Sequence, residues 1–188
     1  MPSGYTAGMA SAVLLDVGVL YYKKQGGDGK PTKFGVSVGG LSFEPEIEWR
    51  HVEFDGKRSD IEGLHRVTNR TGRIKGTFLI EWPKHIPLVE PGATQSAGGT
   101  WTPKMASTLL SPDTDYLQDV QLVATKPGGT LVRVAFGRGL IVKWSWKMED
   151  KNEHKLADIE IVAVLEDSKA ATSTDTSPYT YKEISAMS

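Results

Sequence analysis

Scattered histidines, a row of glutamates, one glycine-rich run and a supply of serine and aspartate are what this sequence offers for chemistry. His51, His65, His85 and His154 stand far apart with no ligand spacing between them, whereas zinc needs three or four converging donors. Serine, histidine and aspartate are all present, but no nucleophile elbow appears, and a triad is recognised by geometry rather than by composition. Gly26-Gly27-Asp28-Gly29-Lys30-Pro31 has the outline of a phosphate loop. Lys24 stands where its first glycine belongs, however, and Pro31 replaces the required serine or threonine, so the run reads as a solvated turn. Asn69-Arg70-Thr71 fits a glycosylation sequon, which is idle without secretion. No catalytic residue, cofactor site or metal ligand is assigned, and the chain reads as a protein that is not an enzyme.

The glutamates carry more information. Glu44, Glu46 and Glu48 alternate with Phe43, Ile47 and Trp49, the period of a strand with one face buried. Carboxylates aligned on one face repel each other, so that face must be wet. In an isolated domain it is plain surface; in an assembly it is an acidic lining. Lys75, Lys143 and Lys147 point outward on their own strands and offset some of the repulsion if they share that sheet. The five tryptophans and six tyrosines divide in the same way. Trp144 and Trp146 suit a core, while exposed aromatics suit anchors for partner subunits.

The elements that position these residues are mostly strands. Ala12 to Tyr22 is rich in β-branched and aromatic residues and stops at a polar, glycine-laden stretch, Lys23 to Lys33, which reads as an exposed loop. Phe34 to Asp55 is extended, with a parity change after Arg50 that calls for a β-bulge near Arg50-His51. Asp55 to Gly72 is polar and reads as a long loop leaving the body of the domain. Arg73 to Trp82 alternates, with Ile74, Phe78, Ile80 and Trp82 on one face and Lys75, Thr77 and Glu81 on the other. One helix is expected from Thr102: this residue caps it, Pro103 suits its first turn, and Met105, Ala106, Leu109 and Leu110 form its apolar face before Ser111-Pro112. Strands follow at Leu117 to Thr125, Thr130 to Phe136, Leu140 to Glu149 and Lys155 to Glu166, the first two joined through Gly128-Gly129. In the third, Leu140, Val142, Trp144, Trp146 and Met148 are expected to face inward.

About seven strands and one flanking helix predict an antiparallel β-sandwich or flattened barrel. The 188 residues and 20.5 kDa fit one domain. It is placed at residues 1–166, with an N-terminal arm over 1–11 and the long loop over 55–72; residues 167–188 read as an extended C-terminal arm. Lys and Arg total 22 against 23 Asp and Glu, a balance unlike that of a protein gripping nucleic acid by its phosphates. The absence of cysteine removes disulfides, thiolate catalysis and cysteine-ligated zinc. Met1 to Gly8 lacks a basic start followed by an apolar run, so no signal peptide is expected, and the apolar runs are too short to span a bilayer. The expectation is a soluble chain made in the cytosol.

The order of segments resembles a known family. Leu14-Leu15-Asp16-Val17-Gly18-Val19-Leu20-Tyr21 is followed by Gly39-Gly40-Leu41-Ser42-Phe43-Glu44-Pro45 with Trp49-Arg50. Val52-Glu53-Phe54-Asp55-Gly56-Lys57-Arg58 comes next, with Ile61-Glu62-Gly63-Leu64. The later half has Tyr116-Leu117-Gln118-Asp119-Val120-Gln121-Leu122-Val123, a glycine turn, a strand, and Glu149-Asp150-Lys151-Asn152-Glu153 before the last strand. Over Leu14 to Glu166 this resembles the major tail (tail tube) proteins of long-tailed bacteriophages, the Asp-Gly-Lys-Arg loop being the most specific part. Pro83 to Trp101 departs from the pattern by its length and glycine content.

The resemblance implies a β-sandwich flanked by a helix, hexameric rings stacked into a tube, and a lumen that carries DNA at ejection without binding it specifically. It implies Glu44, Glu46, Glu48 and Lys75 facing that lumen, with Asp55, Lys57, Arg58, Ile61 and Leu64 in a loop between subunits. Tyr179, Tyr181 and Ile184 become anchors of a C-terminal arm on a neighbour. The partners are then the chain itself, a tape measure and a terminator, with no membrane and no cofactor; the place is the virion tail, assembled in the host bacterial cytoplasm. A tail terminator or a secretion-type tube ring protein is the alternative of the same class. A carbohydrate-binding β-sandwich module is the alternative of another class.

Overall fold

The computed structural model describes residues 18–23, 30–51, 65–79, 86–105, 109–111, 115–126, 129–148, 154–165 and 177–184. Its main body is one antiparallel sheet. In chain order the strands are β1 (Val19–Lys23), β2 (Pro31–Lys33), β3 (Val36–His51), β4 (His65–Leu79), β5 (Thr94–Gln95), β6 (Trp101–Thr102), β7 (Leu117–Thr125), β8 (Leu131–Met148), β9 (His154–Val164) and β10 (Tyr179–Ile184). A single helical turn, α1 (Ile86–Val89), lies between β4 and β5. The large sheet runs β2-β1-β7-β8-β9-β4-β3, with β10 beside β8, and β5 and β6 form a separate small hairpin.

The sheet curls because its two ends return to the same strand. β2 leads through Phe34 toward β3, and the Phe34 amide donates to the Leu20 carbonyl of β1 at 2.9 Å. Near the start of β3, Ser37 Oγ donates to the Gly18 carbonyl at 3.3 Å. The result is the expected mainly-β, flattened-barrel architecture. Its interior collects Leu20, Phe34, Ile74, Phe78, Val120, Phe136, Ile159 and Ile161, all almost wholly buried. Edge-on aromatic contacts tie the layers together, as between Phe34 and Phe78 with ring centroids 4.9 Å apart.

Bulges bend the strands and set which side chains face inward. Gly39 and Gly40 adopt φ of 78° and 91°, a region costly for side-chain-bearing residues, and they form the extra pair between Val38 and Leu41 against β4. Asp119 takes φ 45° at the β7 bulge against β1 and pairs with Lys23 at 2.8 Å. Asp158, at φ 53°, marks the bulge of β9. There Ser145 Oγ donates to the Ala157 carbonyl at 3.1 Å.

Several expectations need correction. Pro31 to Lys33 is not loop but the short strand β2 on β1. The polar segment expected as loop to Gly72 ends by His65, because His65 to Gly72 zips onto β3 as the first half of β4. Arg50 and His51 pair in register with Arg66 and His65, and a second β3–β4 bulge falls just before them, between Glu48 and Trp49. Thr68 is its extra residue and donates its hydroxyl to the Glu48 carbonyl at 3.3 Å, while Val52 and Phe54 lie outside the described residues. Among the described residues no helix starts at Thr102: its backbone is spent on the β5–β6 ladder. Of the four intended apolar-face residues Met105 and Leu109 are exposed, Leu110 is half-buried and Ala106 lies outside the described residues. The strands expected at Thr130 to Phe136 and Leu140 to Glu149 are one strand, β8. Trp144 and Trp146 pack against the core as their parity predicts, but the register shift between Ile141 and Lys143 buries Ile141 and leaves Val142 half exposed, the reverse of the expectation for Val142. Residues 1–17, with most of the N-terminal strand expectation, and Ile80, Glu81 and Trp82 lie outside the described residues.

The C-terminal segment is also different from a free arm. β10 pairs with the chain's own β8, from Tyr179 opposite Phe136 to Ile184 opposite Leu131. Tyr179 is 5% exposed and its ring packs edge-on against Phe43 at 5.2 Å, so the folded body includes this strand. Truncating the buried ring, Tyr179→Ala, is expected to cost about 3–5 kcal/mol in dilute protein. Tyr181→Ala, at a ring 59% exposed, should cost less than about 1 kcal/mol. Urea denaturation of both variants checks this, and equal midpoints would show that Tyr179 does not anchor the strand.

Candidate functional site

Two surface features stand out. The first is the outer face of the β3-β4-β9 sheet. Glu44, Glu46 and Glu48 all lie on it, exposed, as their alternation predicts. They do not form a bare acidic row. Glu44 receives Lys75 Nζ at 2.5 Å. Glu46 forms an ion pair with Arg73, Nε at 2.8 Å, and accepts from the Thr71 hydroxyl at 3.1 Å. Arg73 also reaches across to Glu160 of β9, and Lys143 stands opposite Glu160 from β8. Lys147 approaches Asp158 within 3.7 Å. Among the described residues of these strands, only Glu48 of the three glutamates is left without an ion pair.

The register explains the ladder. Glu44 opposes Arg73, Glu46 opposes Thr71, and Arg73 in turn opposes Val162, so side chains from three strands share one face and long cations reach diagonal neighbours. The arginine hydrogen bond holds the Glu46 carboxyl below its ordinary value, while hydrogen bonds to Glu160 and Glu46 raise Arg73 and one to Glu44 raises Lys75. Lys75 was anticipated from its outward parity. Arg73 and Glu160 were missed, since cross-strand neighbours far apart in sequence leave no local signal.

Beyond this ladder the hairpin becomes an arm. Pro45 to His51 and Gly72 to His65 pair with each other, while β9 covers only Arg73 to Leu79 of β4. One side of the arm carries Ile47, Trp49, Val67 and Arg70, with Arg70 opposite Ile47. Trp49 is 60% exposed, and Tyr181 of β10 lies against Phe43 at the base, ring centroids 5.6 Å apart. The backbone also brings His51 and His65 into register at the end of the described arm, a juxtaposition the sequence spacing hides. The loop residues Asp55, Lys57, Arg58, Ile61 and Leu64 lie outside the described residues. Of the expected arm anchors, Tyr179 is buried in its own chain, Tyr181 is exposed and Ile184 is half-buried.

The second feature is a cleft of about 470 Å³ lined by Ile86, Glu90, Trp101, Pro103 and Trp144 among others. The segment around it is clipped from below. Lys104 Nζ bonds Asp115 at 2.7 Å, with the carboxylate 3% exposed, and the Ser111 amide donates to the same oxygen at 2.7 Å. Trp101 Nε1 is buried without a hydrogen-bond partner. The cleft falls in and beside the glycine-rich stretch whose role the sequence left open.

No group of metal-ligating side chains forms among the described residues, and none of their helices is long and apolar enough to cross a membrane. No family model and no curated protein matches the chain.

The ladder predicts an acid-sensitive contribution to stability. Glu46 titrates below its ordinary value of 4.5, so its stabilisation is complete above that pH and is lost as pH falls through the lowered value. Urea midpoints measured from about pH 7 to about pH 3 should fall less steeply in Arg73→Met than in the parent protein. Parallel curves would remove the pair from the account.

Proposed function

We propose that the chain is the structural subunit of a phage tail tube, which self-assembles into stacked, hexameric rings around a channel for DNA ejection. In this reading it is not an enzyme and needs no cofactor. Its partners are other copies of itself, a tape measure and a terminator, and it works in the virion tail. The observation that carries the reading is the β3–β4 arm. A two-stranded ribbon with a half-exposed apolar face and an open edge is poorly suited to life in a monomer, and a neighbouring copy supplies the missing layer.

The charge ladder fits a wall along which DNA slides. Its cations are engaged by Glu44, Glu46 and Glu160, so phosphates passing over it meet few free positive partners. The lumen in this proposal is therefore close to charge-balanced rather than strongly acidic. The carbohydrate-binding alternative has one observation in its favour, the Trp101–Trp144 cleft.

Electron microscopy of the purified protein after concentration separates the readings. Long hollow tubes of constant diameter are expected. Isolated rings would favour a terminator, and a persistent monomer that binds glycans would favour the carbohydrate module. Loss of tubes on deleting residues 59–64, with the monomer still folded, would place the neighbouring loop at the interface.

A further inference from the structure

The Trp101–Trp144 cleft and the β3–β4 arm are complementary in chemistry and stand at opposite ends of the sheet. The cleft is walled by two indoles, Ile86 and Pro103, with Glu90 at its margin. Among the described residues the Glu90 carboxylate makes no ion pair, and Trp101 Nε1 has no acceptor. Its wall offers few groups able to bind a ring of sugar hydroxyls. It offers instead what a planar cation needs, an aromatic face and one carboxylate.

The arm presents that cation. Arg70 is exposed, pairs with no carboxylate among the described residues, and shares its face with Ile47 and Trp49. Arg50 and Arg66 oppose each other on the other face, the side of the glutamates, so Arg70 is the one cation among the described residues that accompanies the uncovered apolar surface. Trp144 lies next to Lys143, which opposes Glu160, and Glu160 opposes Lys75. Arg70 is five residues along β4 from Lys75, on the order of 17 Å at strand rise and well beyond the reach of its own side chain. Two different surfaces so far apart cannot meet within one molecule. Joined between copies, they make a head-to-tail contact, the kind that closes rings or extends filaments.

We propose that Arg70 on the arm of one copy enters the Trp101–Trp144 cleft of the next, stacking on indole and pairing with Glu90. This rests on the assembly reading above and assigns it a contact.

A charge-swap cycle tests it, with assembly followed by sedimentation and light scattering and folding checked by circular dichroism. Glu90→Arg and Arg70→Glu should each weaken association by at least about tenfold, and the double variant should recover most of the loss. Glu90→Gln, a milder change at a surface carboxylate, should weaken it in the same direction. Single variants that assemble like the parent, or a double variant no better than either single, would overturn the contact while leaving self-assembly intact. A parent protein that remains monomeric at high concentration overturns both.

Discussion

A strand of eighteen residues, β8, is about three times the ordinary length, and neither of its edges can be satisfied by a single neighbour of normal size. β7 covers one edge from Leu131 to Gly139. On the opposite edge β9 covers Arg138 to Met148 and β10 takes over from Phe136 to Leu131. The C-terminal segment is needed because β9 runs out before β8 does. Gly139 lies at the handover, where an added Cβ would come within 2.9 Å of Val120 and 3.0 Å of Ile161. The absence of a side chain there lets β7, β8 and β9 close on one another over the core.

The same inequality of lengths leaves edges open. Beyond Gly139 the β7 side of β8 has no strand partner among the described residues, and Trp144 faces the cleft from that stretch. β4 outruns β9 in the same way, so its first half is held by β3 alone. A sheet built from strands of unequal length thus exposes backbone edges and apolar side chains at its two ends. Charged pairs on the outer face offset the risk of indiscriminate association. The ladder of Glu44, Lys75, Glu46, Arg73 and Glu160 keeps the middle of the sheet hydrated and leaves the ends as the adhesive regions.

Much of this was legible in the sequence. The alternation of Glu44, Glu46 and Glu48 with Phe43 and Ile47 gave the correct exposed face, because period two is a local property of strands. The turn at Gly129 and the strands around it were equally local. What the sequence hid was set by pairing at a distance. His65 to Gly72 has few apolar residues and looked like loop until β3 supplied its ladder. Tyr179 looked like an arm anchor because nothing in its own segment says that Phe43 and Phe136 wait beside it. In β8 the inward places of Trp144 and Trp146 were legible, but Val142 was misjudged because it is an extra residue of β8 between the partners of Ile161 and Glu160, a shift that the strand's own clean alternation hides. The cleft was invisible for the same reason, since Trp101 and Trp144 meet only through the tertiary fold.

The central claim is that other copies of the chain close the edges that this chain leaves open. Amide hydrogen exchange, followed as protein concentration is raised, addresses it most directly. The account predicts growing protection along His65 to Gly72 of β4 and Leu140 to Met148 of β8, with the β7 and β9 core amides already slow and unchanged. Exchange at those two segments that stays fast and independent of concentration would contradict it.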